Sequence, residues 1–282
     1  YWGTLYAAKI PVNDCHEMIQ DSKGRILLLT NETKNNLIIY NKSGSLMDSW
    51  GTQFPGAHGL TVQQNGKEDF LFITDTDKHQ VYKTTLDGKI LLTIDAPSDL
   101  PAYQKKEAFV PTETTVLANG EFYIADGYGA QHILHYDEKG KLKNAFGGRG
   151  TGDEYLDNAH GICVDTRNTT PSLIVTDRTR NAFKRFSMDG KLLEVIHLPG
   201  ACVCRPVIKG DYLYAAVLRS PNLDTVNSGF VTILDKNNKV VSNLGGAAPV
   251  YNNGVLQPMS QTEKIFIHPH DVCVDDEGHG PP

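Results

Sequence analysis

Short apolar runs recur along the chain, and turns rich in Asp, Asn, Lys and Gly separate them. In the first unit, a run that begins at His16 is followed by the runs Arg25–Thr30, Asn36–Tyr40 and Ser45–Trp50. Runs of this length, with alternating or continuous apolar character and Asp-Gly or Lys-Gly turns between them, are typical of antiparallel β-strands. The pattern therefore predicts a sheet of four short strands.

This four-strand unit returns along the chain, and its spacing runs from 42 residues (His16 to His58) to 66 residues (Cys204 to His270). The remaining units begin at Thr112 and His160. Four strands in a unit of about 40–50 residues are the signature of a β-propeller blade. We therefore predict an all-β, six-bladed β-propeller. Because closure of a propeller joins all its blades, residues 1–282 are predicted to form a single domain.

The sixth unit is predicted to be incomplete. Only 12 residues follow His270, which is enough for one strand and a turn. Thr4–Ile10 is predicted to add a strand to this blade from the N-terminus, a common way of closing a propeller. Two strands of the blade are still missing from this chain.

The composition is that of an ordinary soluble globular protein, with 282 residues, a net charge of −6 and 40% hydrophobic residues. The excess of acidic over basic residues argues against a nucleic-acid-binding surface. The sequence contains no run of eighteen apolar residues, so we expect no membrane-spanning helix. Five cysteines without small-protein spacing imply no disulfide framework. The chain begins at Tyr1 rather than Met. We expect a protein that is secreted or periplasmic, and we expect it to be a monomer.

Histidines return in register with the repeat. Four of the six units place one just before the first apolar run: His16, His58, His160 and His270. Because the first strand of each blade is expected to line the central channel, these imidazoles are predicted to converge at one mouth of it. Catalytic zinc takes three protein ligands and leaves one position open, so Zn²⁺ or another divalent transition metal fits this pattern. The alternative is that they are repeat-consensus residues bonded to turn carbonyls.

A second set of polar residues ends the second strand of several units: Asn31, Asp75, Asp126 and Asp177. A short acid at a strand end is expected to cap the following turn. The residues just beyond differ between units, and Tyr128 and Arg178 lie on loops expected to face the channel mouth. A tyrosine there can act as general acid or base, and an arginine is a natural fork for a carboxylate.

Several segments carry a resemblance to a known family: Phe109–Thr114, Phe122–Tyr128, Asn158–Gly161, Val175–Arg178 and Pro269–Val272. They resemble the NHL-repeat propeller of peptidyl-α-hydroxyglycine α-amidating lyases. The resemblance covers units one to four and the start of unit six, and it is clearest over residues 109–190. It implies an NHL-type propeller and a lyase with a catalytic zinc on three histidines.

The resemblance also assigns roles to individual residues. It implies that the zinc ligands are His58, His160 and His270, that Tyr128 is catalytic and that Arg178 is an active-site arginine. It further implies a structural calcium ion held by the backbone carbonyls of Met18 and Leu60 and by Asp271. Two positions depart from the family. A second family arginine falls at Asn31, which with Arg178 is our candidate for substrate binding, and His16 replaces a small residue and becomes a fourth candidate metal ligand.

Three functions fit these features. The first is a metal-dependent lyase that acts at the propeller mouth on a small carboxylate- or hydroxyl-bearing substrate, either a small molecule or a peptide. The second is a non-catalytic NHL propeller that binds a peptide or glycan. The third is a calcium-dependent lactonase, which would need several acids and asparagines at the channel, where this chain has histidines.

Overall fold

The computed structural model describes residues 9–66 and 68–275, and almost all of its regular structure is β-strand. Five sheets contain four antiparallel strands each, taken in chain order, and a sixth sheet contains two. Helical structure in the described residues consists of short 3-10 turns at Pro101–Tyr103, Lys106–Ala108 and Arg178–Arg180. No helix in this part of the chain is long and apolar enough to cross a membrane.

The first three sheets occupy the first half of the chain. Sheet one contains β1 (Cys15–Gln20), β2 (Ile26–Thr30), β3 (Leu37–Tyr40) and β4 (Leu46–Trp50). Sheet two contains β5 (Ala57–Gln64), β6 (Asp69–Asp75), β7 (Gln80–Thr85) and β8 (Ile90–Ile94). Sheet three contains β9 (Glu113–Val116), β10 (Phe122–Ala125), β11 (His132–Tyr136) and β12 (Leu142–Gly147).

The other three sheets follow in the second half. Sheet four contains β13 (Ile162–Asp165), β14 (Ser172–Asp177), β15 (Ala182–Ser187) and β16 (Leu192–His197). Sheet five contains β17 (Cys202–Lys209), β18 (Tyr212–Arg219), β19 (Phe230–Leu234) and β20 (Val240–Leu244). The two-stranded sheet pairs β21 (Tyr251–Asn252) with β22 (Val255–Leu256).

The predicted hairpin turns form for the predicted reason. Gly140 has φ 82°, a conformation that glycine adopts without strain. The Asp137 carboxylate accepts hydrogen bonds from the backbone N–H groups of Lys139 and Lys141 at 2.9 and 2.8 Å. The glycines that end four other turns also have positive φ: Gly24, Gly44, Gly88 and Gly190. Turn chemistry of this kind fixes the register of the flanking strands.

The backbone divides into two compact units, residues 1–145 with 273–282, and residues 146–272. In the first unit, the starts of the sheets are adjacent, since β5 lies beside both β1 and β9. Its core contains fully buried aliphatic and aromatic side chains, including Leu27, Leu60, Leu71, Phe109 and Phe122. In the second unit β13 lies beside β17, and the core includes Ile174, Phe183, Leu213 and Phe230.

The sixth unit is incomplete, as predicted, but the predicted position of its strand was wrong. His270 was predicted to open an inner strand, but residues 269–275 form no strand, and the short sixth sheet precedes them at 251–256. Side-chain contacts, described below, hold this segment in place of a backbone ladder. The predicted closing strand Thr4–Ile10 falls mostly on residues 1–8, outside the described residues, while Lys9 and Ile10 lie in a turn.

Candidate active site

His58 is the most completely positioned of the repeat histidines. It lies on β5 and is 3% exposed. Its Nδ1 is 2.9 Å from the carbonyl oxygen of Thr112, which can only accept, so Nδ1 carries the proton. Its Nε2 therefore presents a lone pair, and it lies 3.2 Å from the hydroxyl of Tyr128, which donates to it. A carbonyl partner that fixes the tautomer in this way is the usual support of a metal-binding histidine.

The glycine after His58 allows this arrangement. An ideal Cβ at Gly59 would stand 2.5 Å from the Thr112 carbonyl oxygen, so only glycine lets the backbone come this close to the start of the next sheet. The same carbonyl accepts a hydrogen bond from Thr74 Oγ1 at 3.2 Å, and Thr74 Oγ1 accepts one from Gly59 N at 2.6 Å. The His-Gly pair thus packs the ring against a fixed carbonyl.

His16 lies beside His58 in the first unit. Their ring centroids are 4.6 Å apart with 31° between the planes, and the nitrogens that they can offer to an ion lie within 4.8 Å of each other. Two imidazole nitrogens on a tetrahedral zinc ion would be roughly 3.3 Å apart, so modest side-chain movement would suffice. Burial lowers the pKa of His16, against the opposing charge of Asp14, and this favours the neutral, metal-binding form.

Tyr128 combines a fixed backbone with an exposed ring. Its N–H donates to the Val110 carbonyl at 3.2 Å, and Asp126 organises the loop by accepting from the N–H groups of Val110 and Ala130, both at 2.6 Å. The ring is 41% exposed and meets His58 edge-on at a centroid distance of 5.1 Å. The hydroxyl is therefore held beside His58 while the ring stays accessible to a ligand.

The second unit brings another histidine pair together. The ring centroids of His160 and His270 are 4.6 Å apart at an interplanar angle of 72°. His160 is 1% exposed, and its N–H donates to the carbonyl of Asn158, which has φ 63°. The N–H of Arg178 donates to that carbonyl at 3.1 Å. One left-handed turn residue, of a type that tolerates this conformation well, thus fixes the backbone at both predicted site residues.

The His-Gly device of the first unit is repeated in the second. An ideal Cβ at Gly161 would stand 2.5 Å from the Cα of Arg205 on β17, so glycine again permits close packing of neighbouring sheets. Thr176 Oγ1 donates to the carbonyl of Cys204 at 2.6 Å, as Thr74 does to Thr112 in the first unit. The glycines after the histidines therefore serve packing in both units.

Arg178 is a buried cation, 3% exposed. Its Nε donates to the Val203 carbonyl at 3.2 Å and its Nη2 to the sulfur of Cys204 at 3.1 Å. Burial raises the pKa of Cys204, an effect that the positive charge of Arg178 opposes. Among the described residues no carboxylate forms an ion pair with Arg178. Since burying an unneutralised charge is costly, this guanidinium is well suited to bind an anionic ligand.

Asp271, the acid implied for calcium, is already paired with a guanidinium. Both oxygens of Asp271 are engaged by Arg205, with Nε to Oδ1 at 2.9 Å and Nη2 to Oδ2 at 2.7 Å. Calcium would need these oxygens at 2.3–2.6 Å, beside a full positive charge, and like unit charges about 4 Å apart repel by roughly 4 kcal/mol near a protein surface. In the first unit, Met18 lies on β1 and Leu60 on β5, and the Leu60 N–H donates to Glu17.

Asn31 is engaged locally in the structure. It follows β2, its Oδ1 accepts from the N–H of Asp14 at 3.0 Å, and its Nδ2 donates to the Asp14 carboxylate at 3.2 Å. Its role as a substrate-binding residue stays a prediction. Three ionisable residues that the sequence interpretation did not single out are Glu17, Glu113 and Arg205. Glu17, Glu113 and Arg205 each directly follow a repeat position, which is the signal that would have found them.

Comparison with known proteins agrees with the fold. A protein family described as a 6-bladed beta-propeller (DUF5128) matches residues 110–255, just over half of the 282 residues. The chain therefore belongs to this family of propellers. A solved virginiamycin B lyase from Staphylococcus aureus is similar with a TM-score of 0.57 and 17% identity, over 83% of this chain and 71% of that one. At that identity the similarity supports the propeller fold alone.

Curated relatives are also named as lyases. The chain is 38% identical over 103 residues to peptidyl-alpha-hydroxyglycine alpha-amidating lyase 2 of Drosophila melanogaster, covering 36% of this chain and 24% of that protein. It is 38% identical over 115 residues to lyase 1 of the same organism, covering 38% of this chain and 20% of the relative. The matches thus span about a quarter or less of these relatives.

Proposed function

We propose that this protein is a metal-dependent propeller lyase that acts on a small substrate bearing both a hydroxyl and a carboxylate. The observation that carries the proposal is His58, with Nδ1 fixed by a carbonyl and Nε2 beside the hydroxyl of Tyr128 at 3.2 Å. The lone pair on Nε2 can bind a metal ion, and the neighbouring hydroxyl can carry a proton. The lyase names of the curated relatives support the same reaction class.

The proposed metal ligands are His58, His160 and His270, with His16 as a fourth candidate. All four are imidazoles, and a neutral imidazole with its other nitrogen bonded to a carbonyl is a preferred zinc ligand. The donor set therefore fits Zn²⁺ or another divalent transition metal. When bound, such an ion would act as a Lewis acid on a substrate oxygen. The two histidine pairs, one in each unit, support this ligand set through their chemistry.

Tyr128 and Arg178 would act directly on the substrate. In an α-hydroxyglycine-type substrate, Tyr128, once deprotonated to the phenolate, accepts the hydroxyl proton as the C–O bond becomes a carbonyl and the C–N bond breaks, and this proton then passes to the departing nitrogen. Arg178 binds the carboxylate through its guanidinium fork. The exposure of the Tyr128 ring and the absence of an acidic partner for Arg178 among the described residues both support these roles.

Metal analysis of the purified protein tests the proposal most directly. We expect about one transition-metal ion per chain, because a catalytic zinc site of this kind holds a single ion. A screen of α-hydroxyglycine-type and uronate-type substrates, with and without chelator, then identifies the reaction. A metal-free protein that turns over neither substrate class would contradict the proposal and favour a non-catalytic propeller that binds a peptide or glycan.

Replacing Arg178 with methionine is expected to raise KM for a carboxylate substrate by about 10- to 100-fold, since hydrogen bonds to charged groups contribute roughly 1.5–3 kcal/mol. Steady-state kinetics measure the change. An analogue with a carboxamide in place of the carboxylate should be used almost equally by the variant and the parent protein.

Arg180→Met is the matched control for this substitution. Arg180 lies two residues away, and its guanidinium bonds to the carbonyls of Gly152 and Tyr155 at 3.4 and 3.0 Å. Its loss should leave KM unchanged. An equal effect of Arg178→Met on the carboxylate and the carboxamide would contradict the binding role.

A further inference from the structure

The segment that carries His270 is held to β17 by an ion pair. Arg205 contacts Asp271 with two parallel hydrogen bonds, at 2.9 and 2.7 Å, and the two side chains are only 12% and 6% exposed. This bidentate arrangement is the strongest geometry available to an arginine and a carboxylate. Asp271 directly follows His270, so the pair acts on the backbone next to that ring.

Apolar packing and a sulfur contact also hold the segment. Val272 packs in a small cluster with Cys204, Ala216 and Val231, and the Cys204 sulfur lies 3.8 Å from the Pro269 carbonyl. No strand is assigned to residues 265–275. Because no strand pairing fixes the segment, its position depends on side-chain contacts. The Arg205–Asp271 ion pair is a contact that is both charged and directional.

The start of β17 is rigid enough to serve as the fixed partner. The Cα of Arg205 packs against Gly161 so closely that a Cβ on the glycine would stand 2.5 Å away. The neighbouring Cys204 carbonyl accepts from Thr176 Oγ1 at 2.6 Å. The guanidinium therefore extends from a backbone position that packing and hydrogen bonding both fix.

We infer that Arg205 takes the place of a structural calcium ion at Asp271, so that the guanidinium fastens the His270 segment and the fold does not require calcium. A guanidinium covering both carboxylate oxygens supplies the positive charge that the ion would supply. The inference concerns stability and local order, so it does not depend on the lyase reaction.

Thermal unfolding in calcium-depleted buffer without chelator and in added calcium provides the first test. The melting temperature of the parent protein is expected to be the same in both, because an ion that does not bind the folded state cannot shift it. A higher Tm in added calcium would overturn the inference.

Arg205→Met provides the second test. Removing one member of a largely buried pair is expected to lower Tm by about 5 °C in a protein of this size. Hydrogen exchange of peptides that cover residues 265–275 should become faster, since the segment loses its charged contact. Arg205→Lys, which keeps the charge but loses the fork, should fall between Arg205→Met and the parent, and it serves if the methionine variant does not fold.

The matched control is Arg167→Met. Arg167 forms a bidentate pair with Asp165, in which the side chains are 1% and 0% exposed, at the opposite end of β13 from His160. Its loss should lower Tm without accelerating exchange in residues 265–275. Unchanged exchange there in both Arg205 variants, or equal acceleration in Arg167→Met, would overturn the positioning role of Arg205.

Discussion

Tyr128→Phe is expected to lower turnover by at least about 100-fold, the contribution of a positioned general acid or base. The substitution removes the hydroxyl that lies 3.2 Å from His58 Nε2, whereas the ring and its edge-on contact with His58 remain possible. Metal content should stay at the level of the parent protein, because the imidazoles are untouched. Rate measurements and elemental analysis on the same preparation check both expectations.

Tyr212→Phe is the control for this experiment. Tyr212 is 45% exposed, similar to Tyr128 at 41%, but it lies on β18 and contacts Tyr214 rather than a histidine. Turnover should be unchanged in this variant. If Tyr128→Phe kept the activity of the parent protein, Tyr128 would have no part in proton transfer, and the mechanism would need another group.

The sheets were predictable because their determinants are local. The predicted runs Arg25–Thr30, Asn36–Tyr40 and Ser45–Trp50 form β2, β3 and β4, with the same last residue and a start one residue later. An apolar run and a turn residue are read from a few adjacent positions. The prediction that strand-end acids cap turns is also confirmed, since Asp75 Oδ1 accepts from the N–H groups of Asp77 and Lys78.

The His270 segment was not predictable for the opposite reason. Its order depends on Arg205 and Asp271, which are 66 residues apart, and the repeat pattern does not indicate that these two side chains pair. The repeat placed His270 in register with the other histidines, so a strand was predicted there. Side-chain contacts, and not strand pairing, hold this segment in position. The same distance hid the calcium misfit, because nothing near Asp271 in the sequence indicates that a guanidinium covers it.

The sequence left two interpretations of the repeat histidines open. They are metal ligands, or they are packing residues that bond to turn carbonyls. His58 does bond a backbone carbonyl, as a packing histidine would, and His79 does the same with the Phe109 carbonyl at 2.8 Å. The distinction lies in the second nitrogen. That of His58 faces the hydroxyl of Tyr128, and His58 also lies beside a second imidazole, His16, at 4.6 Å. Carbonyl bonding and metal binding are therefore compatible in one residue.

His58→Ala and His160→Ala are each expected to reduce bound metal from about one ion per chain to a small fraction, because a three-histidine site loses most of its affinity with one ligand. One of these two histidines lies in each compact unit, so the two variants test the predicted ligands of each unit separately. Elemental analysis after gel filtration measures the content, and circular dichroism checks the fold.

His79→Ala supplies the comparison, since His79 shares the carbonyl bond of His58 but is not one of the four repeat histidines. It should retain its metal. His16→Ala then separates a three-histidine from a four-histidine site, because only in the second case does metal content fall. If His58→Ala and His160→Ala both kept the metal, the repeat histidines would be packing residues, and the non-catalytic propeller would be the better interpretation of this chain.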